Sequence, residues 1–337
     1  MERYVQIIIS FLAVISSILV PNLQEGFSDG LFEESLPPAS IGDRAASLYT
    51  KISPPVITSD TKQNAFFQLR LFDSKTNENI TNVNYFLTII KGDKVLLREL
   101  FYSKEGPFTL KFQPNQGPIK VFGTTEPFLG GWTSETGQMT ISGPVLSQGG
   151  LYHFAIEIFG IDNVRNIFQP ENAPRFDSYL SIGDVLPINL TYGNENYNGT
   201  LISYYDKVQN FTYEPENMKA IWEMPFDWNV SRIRENNIFV HEEISFPKPS
   251  PFANQSYSGQ VNGIPLPAKM LMIDPTNSSR DVVHFMIPKD GIISIAENVN
   301  KNGNLTSGLM EFELKPGGNL STNIGNMMNM NMSSMSS

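Results

Sequence analysis

Apolar and polar residues alternate along much of this chain in short runs. Phe67, Leu69 and Leu71 are apolar while Gln68 and Arg70 between them are polar, a period of two that predicts a strand beginning at Ala65. Residues 73–79 read as a polar turn, after which Val83, Tyr85, Leu87 and Ile89 form a second alternating face. Lys91-Gly92-Asp93-Lys94 predicts a hairpin loop into a strand over 95–101. Glu105-Gly106-Pro107 turns the chain into a strand over 108–112, and 118–122 is another. Residues 123–149 are rich in Gly, Thr and Ser, hold Trp132, and read as loop. A strong strand follows over 151–159, with Tyr152, Phe154, Ile156 and Ile158 on one face, and 176–191 supplies one or two more.

The text Tyr192-Gly193-Asn194-Glu195-Asn196 reads as a boundary, beyond which a second β-rich set spans 199–205, 219–225, 238–246, 265–273, 281–287 and 309–314. Asn262-Gly263 is a strong two-residue turn signal. One short helix is predicted over 292–299, with Asp290 as its N-cap candidate. Short strands, turn residues between them and scarce helical periodicity predict an all-β protein of two β-sandwich domains, over 61–192 and 197–315. Residues 22–60, punctuated by Gly26, Gly30, Pro37, Pro38, Pro54 and Pro55, read as a linker, and the Gly-, Asn-, Ser- and Met-rich residues 316–337 as a disordered tail.

The N-terminus sets the compartment. Arg3 precedes an apolar run from Val5 to Val20, and Pro21 stops any helix there. As a helix the run measures roughly 24 Å against a hydrocarbon core of about 30 Å. That is short for a span and suits a signal peptide, or a signal-anchor if uncleaved, over residues 1–21. Either form places the remainder outside the membrane, which the chain would touch only through this segment. Acceptor patterns Asn-x-Ser/Thr at Asn79, Asn189, Asn198, Asn210, Asn229, Asn254, Asn277 and Asn304, with two more in the tail, exceed chance and predict an exported glycoprotein.

Composition removes several chemistries. The chain has no cysteine, so thiolate nucleophiles, disulfides, iron–sulfur clusters, Cys-zinc and blue-copper sites are excluded. A formal net charge of −10 repels phosphate backbones and makes nucleic acid a poor partner. Hydrophobic residues make up 40%, enough for real cores, and the 23 Phe and 12 Tyr favour pleated, half-buried surfaces.

Three features carry candidate chemistry. In the tail, Met327, Met328, Met330, Met332 and Met335 crowd into residues 326–335, and thioether sulfur selects Cu(I) over hard cations. The bland reading of this segment is a low-complexity solubilising tail. His153, His241 and His284 each fall on a predicted strand; His284 shares a strand face with Met286, and His153 with Glu157. Three strands can bring such side chains into an open metal site, or leave each on a solvated face. The zinc-protease reading of His241-Glu242-Glu243-Ile244-Ser245 fails, because the second histidine is Ser245 and the context is a strand. Glu242 and Glu243 point to opposite faces and cannot act as a carboxylate pair. Nucleophile-elbow, phosphate-loop, dinucleotide and EF-hand patterns are lacking. Trp132 in its loop could stack on a sugar, although such a residue more often folds back on the core. Trp222 and Trp228, flanking Pro225-Phe226, read as core.

Residues 67–94, with their dense alternation and polar connecting turn, resemble the immunoglobulin-like modules of exported surface proteins. GLYHFAIEIFGID and FDWNVSRIRENNIFVHEEISFPK are similar to text in exported archaeal proteins of unassigned function. The resemblance implies extracellular location and immunoglobulin-like β-sandwich modules, and carries no activity or binding residue. The leading expectation is a non-catalytic cell-surface or secreted protein acting in adhesion, envelope structure or ligand binding, with other surface proteins or glycans as partners. The second is an extracytoplasmic copper-binding protein using the methionine tail with His284 and Met286; the third is an exported hydrolase.

Overall fold

The computed structural model of the chain describes residues 32–58, 64–236, 238–274, 278–301 and 308–317. Strands take 57% of the described residues and helices 9%, so the fold is all-β, as the alternation predicts. Four strands lie where the punctuation predicts a linker: β1 (Glu33–Ser35), β2 (Ala39–Ile41), β3 (Arg44–Ser53) and β4 (Val56–Thr58). From Ala46 to Ile52 every second residue of β3 is buried, but the set includes Ala46 and Thr50 beside Leu48 and Ile52, and small or polar members hide the period. The Thr50 hydroxyl is satisfied in the interior by Ser178 Oγ at 2.8 Å.

Next in the chain come β5 (Ala65–Asp73), β6 (Val83–Lys91), β7 (Lys94–Ser103), β8 (Phe108–Pro114), β9 (Lys120–Phe122), β10 (Thr124–Thr125), β11 (Trp132–Thr133), β12 (Gln138–Gly143) and β13 (Gly150–Gly160). The stretch 123–149 is therefore not all loop. Met139 and Ile141 of β12 are buried, and β12 runs parallel to β8. Trp132 packs against the first core, and its Nε1 donates to Glu99 at 3.2 Å.

β14 (Arg175–Tyr192) is a single strand of 18 residues. It is followed by β15 (Glu195–Ser203), β16 (Asn210–Glu214), β17 (Lys219–Pro225), helix α1 (Val230–Glu235), β18 (Val240–Pro247), β19 (Tyr257–Val261), β20 (Ile264–Pro265), β21 (Leu271–Asp274), β22 (Arg280–Ile287), helix α2 (Lys289–Lys301) and β23 (Leu309–Pro316). Asn262-Gly263 forms the predicted two-residue turn between β19 and β20, with φ of 48° and 75°. In α2, Ile292, Ile295, Ala296 and Val299 are buried at helical spacing. The helix starts one turn earlier than its apolar period, so Asp290 sits inside the first turn instead of capping it.

The strands form a 7-stranded sheet (β1-β3-β5-β8-β12-β9, with β2 on β3), an 11-stranded sheet (β10-β11-β7-β6-β13-β14-β15-β18-β22-β21, with β4 on β14) and a 5-stranded sheet (β16-β17-β23-β19-β20). The first core joins residues of the 7-stranded sheet to β6, β7, β13 and the front of β14; Phe67 stacks on Phe154 with ring centroids 4.1 Å apart. The second joins β15, β18 and β22 to the 5-stranded sheet and α2, centred on Trp222 between Phe312 and Phe285.

The cores divide inside β14, with Ile182 in the first and Ile188 in the second. Tyr192–Asn196 is accordingly not a boundary but a tight hairpin, Tyr192 pairing with Glu195. Among the described residues no helix is long and apolar enough to cross a membrane. The Val5–Val20 run and the methionine tail lie outside the described residues.

Candidate metal centre

β18 carries VHEEISFP. Val240, Glu242, Ile244 and Phe246 point into the second core, which leaves His241, Glu243 and Ser245 on the opposite face. On β22, Val283, Phe285 and Ile287 are core, which sets His284 and Met286 on the same outer face. The antiparallel register pairs His241 with Met286 and Glu243 with His284. β21 adds Met272 directly opposite His284. Two imidazoles, a carboxylate and two thioether side chains thus occupy neighbouring positions of one sheet face.

Three ligand atoms converge. His241 Nε2 lies 3.2 Å from His284 Nδ1. Glu243 Oε1 lies 3.4 Å from His241 Nε2 and 3.4 Å from His284 Nδ1. A tetrahedral ion with bonds of 2.0–2.1 Å separates its ligand atoms by about 3.3 Å, so this triangle already has the edges of one tetrahedral face. The side chains are partly buried, 14% exposed for His241, 19% for Glu243 and 20% for His284.

The surroundings set the charge states of these groups. Burial lowers the His241 pKa to about 4, with the Glu243 carboxylate opposing the shift, so its imidazole is neutral at neutral pH, the form that ligates a metal. Burial by itself would raise Glu243; hydrogen bonding from His284, attraction to the two imidazoles and the Tyr204 hydroxyl together hold its carboxyl below the usual range, and it is ionised. Tyr204 also stacks on His241 with ring centroids 4.7 Å apart, and its backbone N–H donates to the His241 carbonyl. Such contacts fix the orientation of ligand rings.

Glu242 is excluded from the group. It faces the core, fully buried, where its Oε1 accepts from Ser203 Oγ at 2.7 Å and burial pushes its pKa well up. His153 is excluded as well. It sits on β13, three strands from β18 in the sheet order, with its Nε2 2.7 Å from Asp177 and its ring stacked on Tyr179. The proposed union of all three histidines therefore reduces to two, with Glu243 as third member. Glu243 and Met272 escape sequence reasoning because only the pairing of β18, β22 and β21 joins them; the alternation does show that His241 and Glu243 share a face.

Of the other singled-out positions, Met327, Met328, Met330, Met332, Met335, Asn277 and Asn304 lie outside the described residues. Asn79, Asn189, Asn198, Asn210, Asn229 and Asn254 are all exposed, as attachment of a glycan requires. Asn189 and Asn198 face each other across the β14–β15 hairpin, and Asn229 caps α1 by accepting from the Arg232 backbone N–H.

No family model matches the chain, and no curated protein matches it significantly. The chemistry of the residues therefore carries the functional reading alone.

Proposed function

We propose that this is an exported, non-catalytic β protein that binds one transition-metal ion through His241, Glu243 and His284. The observation that carries the reading is the triangle of ligand atoms, 3.2, 3.4 and 3.4 Å on its edges. Two imidazoles and a carboxylate suit ions of the zinc and copper class, and leave one tetrahedral position open. The thioethers of Met286 and Met272, cross-strand neighbours of the two histidines, favour copper in its Cu(I) state. Export is supported by the leader at 1–21 and by sequons on exposed positions. The resemblance to immunoglobulin-like surface modules accords with sheets that enclose shared cores.

Equilibrium dialysis of the purified protein against Cu(I) and Zn(II), with metal counted by mass spectrometry, tests the reading. A variant cut after Pro316 separates this centre from the methionine tail. One ion per chain should remain in the cut variant and vanish in His241→Ala/His284→Ala. Failure of the cut variant to bind either metal, or equal binding by the double variant, overturns the proposal.

A further inference from the structure

A second feature, lined by none of the candidate metal ligands, is a cleft of about 830 Å³. It opens between the β6–β7 hairpin, the outer face of β13 and β14, and the segment running from β17 into α1. Its size lies inside the range of roughly 300–1,000 Å³ of small-ligand sites.

Aromatic rings line it and are held still. Tyr179 donates its hydroxyl to Asn236 at 2.9 Å and stacks parallel to His153, at 4.4 Å between centroids and an interplanar angle of 2°. Trp228 Nε1 donates to the Leu309 carbonyl at 2.8 Å. Arg232 donates to the Tyr205 hydroxyl at 3.4 Å. Tyr205 and Trp228 are themselves buried, so the flat surface on offer is the partly exposed Tyr179–His153 pair, whose tied-down geometry carries a small entropic cost to a ligand.

The charges are balanced within the cleft. Lys91 pairs with Asp206 at 3.5 Å and Arg232 with Asp227 at 3.5 Å. Asp93 on the exposed hairpin tip adds one further carboxylate. A phosphate or an acidic peptide would meet carboxylates beside each cation, so a strongly anionic ligand is disfavoured. Asn236 already accepts from Tyr179 and donates to the Arg232 carbonyl, and Asp227 is held by Arg232 and the Asn229 backbone N–H, so what remains is the Asp93 carboxylate, an acceptor in the same cleft as the Tyr179 ring. Vicinal hydroxyls match the two oxygens of a carboxylate, and the apolar face of a pyranose matches a ring.

We propose that this cleft binds a short, uncharged oligosaccharide. The site is independent of the metal reading and would stand if that reading fell.

Isothermal titration of the full chain in EDTA, with the β1,4-glucose, α1,2-mannose and β1,4-N-acetylglucosamine tetrasaccharides, tests it, with a hexaglutamate peptide as the anionic arm. At least one tetrasaccharide should bind saturably, and its affinity should be insensitive to salt. Tyr179→Ala and Asp93→Asn should each weaken it at least about tenfold, while Tyr179→Phe, which keeps the ring, stays within about threefold. Circular dichroism and melting of each variant identify any that fail to fold, and Asp93→Asn, on an exposed turn, serves as the variant least able to disturb the core. Absence of saturable binding by all three saccharides, salt-sensitive binding of hexaglutamate in their place, or saccharide binding unchanged by Asp93→Asn and Tyr179→Ala overturns the proposal.

Discussion

Replacing Glu242 by Gln should stabilise the protein by an amount that grows with pH. Glu242 is fully buried among the residues of the second core, and burial holds its pKa well above the ordinary value of 4.5. Above about pH 4.5 the unfolded chain therefore releases a proton that the folded chain keeps. Stability falls as pH rises, with a slope of at most about 1.4 kcal/mol per pH unit, until the folded carboxyl itself titrates. Glutamine has no proton to release and keeps an acceptor for Ser203. Between pH 5 and 7 the advantage of the variant should grow by up to about 2.7 kcal/mol. For a cooperative unit of roughly 150–250 residues that corresponds to a Tm difference widening by roughly 5–10 °C. Two neighbours work in the opposite sense. His241, with its folded pKa lowered to about 4, and Glu243, also lowered, both cost stability as pH falls. Each is present in both proteins and cancels in the difference, which is why paired melts are needed and a single pH profile is not enough. Scanning calorimetry in EDTA at half-unit steps from pH 4.5 to 7.5 reads the quantity directly. A Tm difference that stays flat with pH, or that narrows as pH rises, refutes a neutral buried Glu242.

Other outcomes follow from the same structure. Met286→Leu should weaken Cu(I) at least about tenfold in competition titrations while leaving Zn(II) within about twofold, because only the soft ion uses a thioether. Phe154→Ala removes a fully buried ring stacked on Phe67 and should cost about 3–5 kcal/mol in urea unfolding without altering metal stoichiometry. Gly149→Ala would set a methyl carbon 2.4 Å from Asp184 Cβ and 2.6 Å from its backbone nitrogen, so the chain must shift; a loss of about 1–3 kcal/mol is expected by the same assay.

Much of the sheet structure was legible because burial follows period two. Val83, Tyr85, Leu87 and Ile89, and Tyr152, Phe154, Ile156 and Ile158, are all buried as their alternation predicts. β3 was not legible, since Ala46 and Thr50 dilute its apolar face, and neither was β16, where Phe211 and Tyr213 alternate for too few residues. The break between halves was misplaced because Gly193 and Asn194 signal a turn equally well inside a sheet and between domains. The candidate metal group was half legible. His284 with Met286, and the opposed directions of Glu242 and Glu243, need only strand alternation. The meeting of His241 with His284 needs the register of β18 on β22, which no local pattern encodes.

The run from Arg175 to Tyr192 gives Phe176, Leu180 and Ile182 to one interior and Ile188 and Leu190 to the other. It works as a common spine: a cut after residue 192 strips β15 of its partner, and a cut ahead of residue 175 opens the flank of β13. This arrangement ties the survival of both halves together. Limited digestion should yield no durable half-length fragment, and pulling on the two ends should rupture the pair in one event, without the sawtooth of beads on a string.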